Sequence, residues 1–262
     1  MNSPISTHAS ATKLSVRDSV SAEEWQIRVD LAACYRLAAH FGWTDLIFTH
    51  ISARVPGPEN HFLLNPYGLY FHETTASSLV KVDLDGKVVM LGEYDINPAG
   101  FTIHSAIHAA RHDVVCVMHL HTSSGCAVAA QKVGLLPISQ KAMVVKTMLA
   151  YHDYEGVALD HGERERLVRD LGKNSLMILR NHGTLAAASS IPLTFMLMHM
   201  LEKSCEFQVG ALSAGLEGLN FPALEVENII RQQLTTMGGP PGALAWPGLL
   251  RLLDKQDSGF RD

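Results

Sequence analysis

The sequence has few cysteines and little excess charge, and each scarcity excludes a class of protein. Four cysteines in 262 residues, with no Cys-x-x-Cys pair, argue against a disulfide scaffold and favour free thiols in a reducing compartment. The net charge of -5 provides no basic surface for nucleic acid or an anionic membrane. We therefore expect a cytoplasmic protein with neither of these partners.

Several signature motifs are also absent. The chain has no GxGxxG for a dinucleotide, no GxxxxGK[ST] for a P-loop and no GxSxG for a hydrolase nucleophile. Residues 1–20 are rich in Ser, Thr and Ala but contain no continuous apolar stretch, so they fit neither a secretory signal nor a membrane span. We expect residues 1–20 to be a flexible arm.

The rest of the composition is that of a globular protein, with 47% hydrophobic and 18% charged residues. Apolar periodicity and turn signals predict one α/β domain over 21–237, followed by a tail over 238–262. The tail carries an apolar segment, 244–253, of a kind that covers a core or a neighbouring subunit. The predicted helices are 21–41, 101–110, 125–131 and 192–212, and the predicted strands are 47–55, 61–65, 79–84, 87–91, 114–118 and 174–180.

Three of the 14 histidines stand at the ends of predicted strands. His119 and His121 follow one apolar run, and His182 follows another. Residues i and i+2 of a strand share a face, so His119 and His121 can direct two imidazoles at one ion. His182 would complete a three-histidine site with one position open to water or substrate, which is how catalytic metal centres are built.

Other groups of polar residues compete with this interpretation. His104 and His108 have the i, i+4 spacing of a zinc pair on a helix, but no Glu follows His104. We interpret them as a helix face that could support the site. Asp153 and Glu155 suit a solvated loop. The backbone amides from Ser123 onward could hold an anion near the metal or simply begin a helix.

Taken together, the motifs resemble those of the class II aldolase and adducin N-terminal domain family, in its adducin-like branch. The resemblance extends over roughly residues 25–212. It is carried by Gly42-Trp43, Thr49-His50-Ile51-Ser52, Asn65-Pro66-Tyr67-Gly68, Ala76-Ser77-Ser78-Leu79-Val80, the segment 99–108, His119-Leu120-His121-Thr122, Tyr151-His152-Asp153-Tyr154 and Arg180-Asn181-His182-Gly183. It implies a three-layer α/β/α sandwich with a mostly antiparallel central sheet, assembled as a homotetramer.

The resemblance also implies a divalent metal held by His119, His121 and His182. Zinc is the first expectation, and manganese, iron or cobalt would also suit three neutral imidazoles. In the family's enzymes the metal polarises a carbonyl or a pair of hydroxyls and stabilises the enediolate made by C–C cleavage. The partners implied are a small-molecule substrate and further copies of this chain.

The chain departs from the aldolase pattern at the position of the catalytic Glu, where it has Gly100. His50 replaces the aldolases' phosphate-binding Asn, and Asn65-Pro66-Tyr67-Gly68 replaces their usual Thr-Pro-Thr-Gly. Since Gly100 cannot transfer a proton, the candidates for that role are His50, Tyr154 and Lys141, in that order. The candidates for substrate binding are Asn65, Gly68 and Ser123.

Three functions follow from these observations. The first is a metal-dependent lyase that performs aldol cleavage or decarboxylation on a small carbonyl, sugar-phosphate or hydroxy-acid substrate. The second is a non-catalytic, adducin-like scaffold module, although the chain lacks a long basic tail. The third is a sugar-phosphate epimerase, which the altered phosphate cradle disfavours.

Overall fold

The computed structural model describes residues 15–57, 60–90, 94–156, 161–236 and 242–262. Within them, the strands are β1 His50–Arg54, β2 Phe62–Leu64, β3 Val80–Val82, β4 Cys116–Leu120, β5 Leu149–His152, β6 Leu176–Leu179 and β7 Gly183–Ala188. The helices are α1 Ala22–His40, α2 Pro98–Ala110, α3 Ser123–Ala129, α4 Gln140–Lys146, α5 His161–Leu171, α6 Ile191–Ala211, α7 Glu225–Thr236 and α8 Gly242–Gln256. Short 3-10 turns connect some of these elements.

The seven strands form one sheet in the order β3-β2-β1-β4-β7-β6-β5. Every neighbouring pair is antiparallel except β5 and β6, so the expected mostly antiparallel sheet is confirmed. Met118 of β4 and Ile178 of β6 join a core with α1 and α6 on one face. Val117 and Met177, the preceding residues, join α2 and α5 on the other face. Alternation along the strands therefore builds the expected three layers.

The first helix begins where the sequence predicts. Ser21 and Glu24 have the spacing of a capping box, but they form only one of its two hydrogen bonds. The Ser21 hydroxyl accepts a hydrogen bond from the Glu24 backbone N–H at 3.1 Å. The Glu24 carboxylate does not return to Ser21. It binds Arg28 at 3.0 Å and Lys81 at 2.7 Å, because the fully buried Arg28 guanidinium requires a counter-charge.

The predicted strands over 47–55, 61–65, 79–84 and 174–180 are present in shortened form, and the strand predicted at 87–91 is wrong over its described residues. Only Val88 forms a bridge, with Val82. The Asp83 carboxylate accepts from the backbone N–H groups of Asp85 and Lys87, which bends the chain into a turn. The sequence did not indicate α4, β5, α5, β7 or α7.

The described part of the C-terminal tail packs on the core of its own chain, one of the two places that the sequence left open. Trp246 and Leu253 of α8 are buried in the main core, as is Phe260 after it, and Trp246 Nε1 donates to Asp30 at 3.0 Å. The start of the tail, 238–241, and most of the predicted arm, 1–14, lie outside the described residues. Among the residues that the structure describes, no helix is both long and apolar enough to cross a membrane.

Candidate metal centre

The structure brings His119, His121 and His182 together. One ring nitrogen from each lies within 4.8 Å of those of the other two, and Nε2 of His119 is 2.9 Å from Nε2 of His121. The ring centroid of His182 is 4.7 Å from that of His119 and 4.9 Å from that of His121. The side chains thus converge as the strand spacing predicts, in a geometry that suits one divalent ion.

Strand pairing and two tight backbone positions create this convergence. His119 lies opposite Leu185 in the register between β4 and β7, so the end of β4 meets the start of β7. Asn181 adopts a left-handed φ of 57°, which turns the chain just before His182. A Cβ on Gly183 would lie 2.3 Å from the Leu120 carbonyl oxygen, so only glycine permits this close approach.

Two of the three imidazoles are held by a fixed acceptor. His119 Nδ1 is 3.0 Å from the Thr184 carbonyl oxygen, and His121 Nδ1 is 2.9 Å from Asp45 Oδ2. An N–H on each Nδ1 donates to these acceptors and leaves each Nε2 with a free lone pair. Such partners fix the tautomer and orientation of metal-binding histidines.

Burial keeps His119 and His182 in the neutral form that binds a metal. It lowers the pKa of His182 to about 4, with further lowering by His121. Burial, followed by the neighbouring His182 and His50, holds the pKa of His119 well below its usual range. Neither ring must lose a proton before it binds an ion at neutral pH.

A fourth histidine, His50, faces the triad from β1 and begins a buried chain of hydrogen bonds. Its ring centroid is 5.2 Å from that of His119, its partner in the sheet. His50 Nδ1 is 2.9 Å from His104 Nε2. The Ser52 hydroxyl lies 2.5 Å from His104 Nδ1 and 2.7 Å from His108 Nε2. All four side chains are buried.

The far end of this chain is an unsatisfied polar atom. Within the described structure, His108 Nδ1 is buried and has no hydrogen-bond partner. Burial lowers the pKa of His108 to about 3, with nearby Arg54 contributing. Burial also holds the pKa of His104 well below its usual range, with His108 as the second cause. His104 and His108 are therefore neutral and share Ser52, rather than forming a metal pair of their own.

His50 and Tyr154 are the only predicted catalytic residues that the described structure places at the cleft containing the triad. This cleft has a volume of about 350 Å³, and its other lining residues are Asp45, Phe48, Tyr67, Asn97, Ile103, His119, His121, Gly156 and His182. The Tyr154 ring centroid is 6.3 Å from that of His182. Lys141 lies on α4 near His199 instead, where it contributes after burial to the lowered pKa of His199.

The three predicted substrate-binding residues lie outside the lining of this cleft. Asn65 is buried, and its Oδ1 is 2.9 Å from Tyr35 Oη. Gly68 has a left-handed φ of 105°, and its neighbour Tyr67 reaches the cleft instead. Ser123 is the exposed first residue of α3. The cap of that helix is Thr122, whose hydroxyl accepts from the Gly125 N–H at 2.9 Å.

Sequence reasoning missed Asp45 and Glu202, two acids that contact the site's framework. Asp45 precedes β1 in an irregular segment, and no local pattern links it to His121. The sequence could have indicated Glu202, because it is a lone acid on an apolar helical face. Met198, Leu201 and Cys205 form that face, and all three are buried.

Comparison with known proteins places this arrangement in a family. Residues 29–209 match the profile of the Class II Aldolase and Adducin N-terminal domain. The chain belongs to this family. The class II aldolase fold is also that of the L-fuculose 1-phosphate aldolase from Glaciozyma antarctica PI12, which superposes with a TM-score of 0.79 at 26% identity over 92% of this chain and 94% of that one.

Two sequence relatives show where in the class II aldolase and adducin family the chain lies. A putative aldolase class 2 protein of Caulobacter vibrioides is 55% identical over 95% of this chain and 97% of its own length. Alpha-adducin of Rattus norvegicus is 46% identical over 75% of this chain but only 27% of its own length. The match therefore covers nearly the whole length of the Caulobacter protein, but only about a quarter of the adducin.

Proposed function

We propose that this protein is a divalent-metal-dependent lyase that performs aldol cleavage or decarboxylation on a small carbonyl, sugar-phosphate or hydroxy-acid substrate. The observation that carries the proposal is the convergence of three imidazoles in a cleft, with His119 and His121 each oriented by a fixed acceptor. Orienting acceptors of this kind accompany metal-binding histidines.

The donor set fits a divalent ion, and His119, His121 and His182 would hold it. Three nitrogen ligands with an open position suit zinc best, and manganese, iron or cobalt are accepted as well. When bound, the ion would polarise a substrate oxygen and stabilise the negative charge that bond cleavage leaves there. The cleft provides the space beside the triad for such a substrate.

His50 is our candidate for proton transfer, since residue 100 carries no side chain. Its Nδ1 is bound to His104, so Nε2 is the nitrogen available to the cleft that the ring lines. Burial, followed by the neighbouring His104, holds the pKa of His50 well below its usual range. The ring is therefore neutral, and its tautomer decides whether Nε2 accepts or donates a hydrogen bond in the cleft.

The chain from His50 to His108 has two internally consistent hydrogen-bond directions. In one, His50 Nδ1 donates to His104, His104 Nδ1 donates to Ser52, and Ser52 donates to His108, so His50 Nε2 is a bare acceptor. In the other, every donor is reversed and His50 Nε2 carries the proton. Every ring is neutral in both directions, and the direction decides whether His50 Nε2 is a bare acceptor or carries a proton.

Tyr154 is the second candidate for proton transfer because its ring lies at the mouth of the cleft, 54% exposed.

Leu46 and Phe48, two large apolar residues, are exposed on the same segment as Asp45. We propose that a homotetramer covers this mouth, and that Lys141, Ser123 and Gly68 act through that assembly, whereas Asn65 is a buried partner of Tyr35. Light scattering coupled to size exclusion measures the oligomeric state.

The scaffold function is the second candidate, favoured by the 46% identity to an adducin. Metal content separates it from the lyase. We expect about one zinc, manganese, iron or cobalt per chain by elemental mass spectrometry on protein purified without a polyhistidine tag. His119→Ala should lose most of this metal, whereas His112→Ala, at an exposed position, should keep it.

Metal-loaded protein is then screened for lyase activity on sugar phosphates and hydroxy acids. Protein that stays metal-free after incubation with excess zinc would contradict the lyase and favour the scaffold. Retention of the wild-type metal content by His119→Ala would show that the triad is wrongly assigned.

The four free thiols fit the reducing cytoplasm that we expect for this protein.

A further inference from the structure

Glu202 is a buried acid on α6 that touches both segments carrying the candidate metal ligands. Its side chain is only 1% exposed. The Thr184 hydroxyl donates to Glu202 Oε1 at 2.6 Å, and the Thr122 hydroxyl donates to Glu202 Oε2. One carboxylate therefore links Thr122, two residues after the end of β4, to Thr184 at the start of β7.

Both threonines are joined directly to the triad. Thr122 follows His121 in the chain and caps α3. Thr184 lies two residues after His182, and its carbonyl oxygen accepts the hydrogen bond from His119 Nδ1. Movement of either threonine would therefore move a candidate ligand. The Glu202 carboxylate fixes the distance between the two segments.

Close packing shows that this link is built into the fold. A Cβ on Gly125 would lie 2.7 Å from Thr122 Oγ1, 2.9 Å from Thr184 Cγ2 and 3.2 Å from Glu202 Oε1. Glycine at this position of α3 makes room for the Thr122 hydroxyl, the Thr184 methyl group and the Glu202 carboxylate. Glycine has a low helix propensity, but only the smallest residue leaves this contact intact.

The charge of Glu202 lacks a cationic partner. Within the described part of the chain, no Lys, Arg or His side chain hydrogen-bonds to this carboxylate. Burial raises the pKa of Glu202, while the hydrogen bonds from Thr122 and Thr184 lower it. Buried charges in proteins are paired or lie near a metal, and the triad held by the same threonines is where a cation would lie.

We propose that Glu202 is a positioning residue for the metal centre, which sets the spacing of its ligands through Thr122 and Thr184 and supplies negative charge beneath it. This inference rests on the proposed metal-dependent function. It predicts that removal of the charge or of one hydroxyl weakens metal binding even though neither group touches the ion.

The test is titration of metal-free full-length protein with Co²⁺ alone, followed through its visible absorption and through competition with a chelator. Glu202→Gln removes the charge at constant size, and Thr184→Val removes one hydroxyl while keeping the backbone carbonyl. Glu206→Gln is the matched control, since Glu206 lies one turn further along α6 and pairs with Lys203. We expect a Kd about 10- to 100-fold higher for the first two variants and unchanged for the control.

Thermal unfolding of the metal-free variants separates positioning from general support of the fold. We expect Glu202→Gln to unfold within about 4 °C of wild type without metal, and Thr184→Val to change the shape of the Co²⁺ spectrum at saturation. Wild-type Kd values in both variants would overturn the proposal. So would a loss of affinity that merely follows a fall in apo stability. Wild-type protein that binds no Co²⁺ would instead overturn the metal site itself.

Discussion

The imidazole of His50 occupies the space that any side chain on residue 100 would need. A Cβ on Gly100 would lie 2.4 Å from His50 Cδ2 and 2.7 Å from His50 Nε2. The family resemblance of the sequence implies that the aldolases have Glu at the position of Gly100 and Asn at that of His50. The His50 ring in this position and a side chain on residue 100 therefore exclude each other.

Gly100→Ala should destabilise the protein by about 1–3 kcal/mol, because the new methyl group overpacks a buried ring. This cost should exceed the roughly 0.5–1 kcal/mol that Ala gains over Gly within a helix. The double variant His50→Asn/Gly100→Ala should lose less than the sum of the single changes. Urea unfolding measures all three variants. Gly210→Ala, with no atom within 4 Å of its Cβ, should be neutral or stabilising, and equal losses at both glycines would contradict the coupling.

Asp45→Asn should raise the Kd for Zn²⁺ by about tenfold or more. The amide oxygen can still accept from His121 Nδ1, but it lacks the charge that makes the imidazole a stronger ligand. Competition with a chromophoric chelator measures the change. Asp153→Asn is the control, since Asp153 is exposed and near Arg180. Equal Zn²⁺ affinity of the Asp45 variant and wild type would show that Asp45 does not support the centre.

Ser52→Ala should break the chain that links His50 to His108. It leaves His104 Nδ1 and His108 Nε2 without their shared partner, at a cost of about 1–3 kcal/mol for each buried group left unsatisfied. Nitrogen-15 chemical shifts of the histidine rings should show a changed tautomer at His50. Ser204→Ala removes a buried hydroxyl that only donates to the Met200 carbonyl, and it should leave the His50 signals unchanged. Unchanged signals in Ser52→Ala would contradict the chain.

The stability of the metal-free protein should fall as the pH drops below about 6.5. His50, His104 and His108 have lowered pKa values in the folded state, so the unfolded chain binds protons first. Their stabilisation is complete above the unfolded pKa and is lost as the pH falls toward the folded values. Each histidine contributes a slope of up to about 1.4 kcal/mol per pH unit.

Urea unfolding between pH 7 and about pH 4.5, with a chelator present, tests this linkage. His108→Gln should reduce the slope by about one proton, because His108 stays neutral down to a pKa of about 3. His112→Gln, at an exposed position, should leave the slope unchanged. A pH-independent free energy of unfolding over this range would contradict the neutral buried chain.

Local sequence patterns predicted the helices and strands whose residues have a matching secondary-structure preference. Ser21 caps α1, and Pro192 lies in the first turn of α6, because caps and proline act over a single turn. They failed for β7, whose residues Gly183–Ala188 are nearly all small. That segment is a strand because it fills the place between β4 and β6, which no local propensity records.

The sequence by itself determined the candidate ligands, because the two-residue period of extended backbone puts His119 and His121 on one face and a second apolar run leads to His182. Only the tertiary structure decided what surrounds the ligands. Asp45, Glu202 and the chain from His50 to His108 come from distant segments, up to 157 residues from one another by the numbering of Asp45 and Glu202. Hydrogen bonds between such groups depend on the packing of helices against the sheet, and sequence spacing carries no information about that packing.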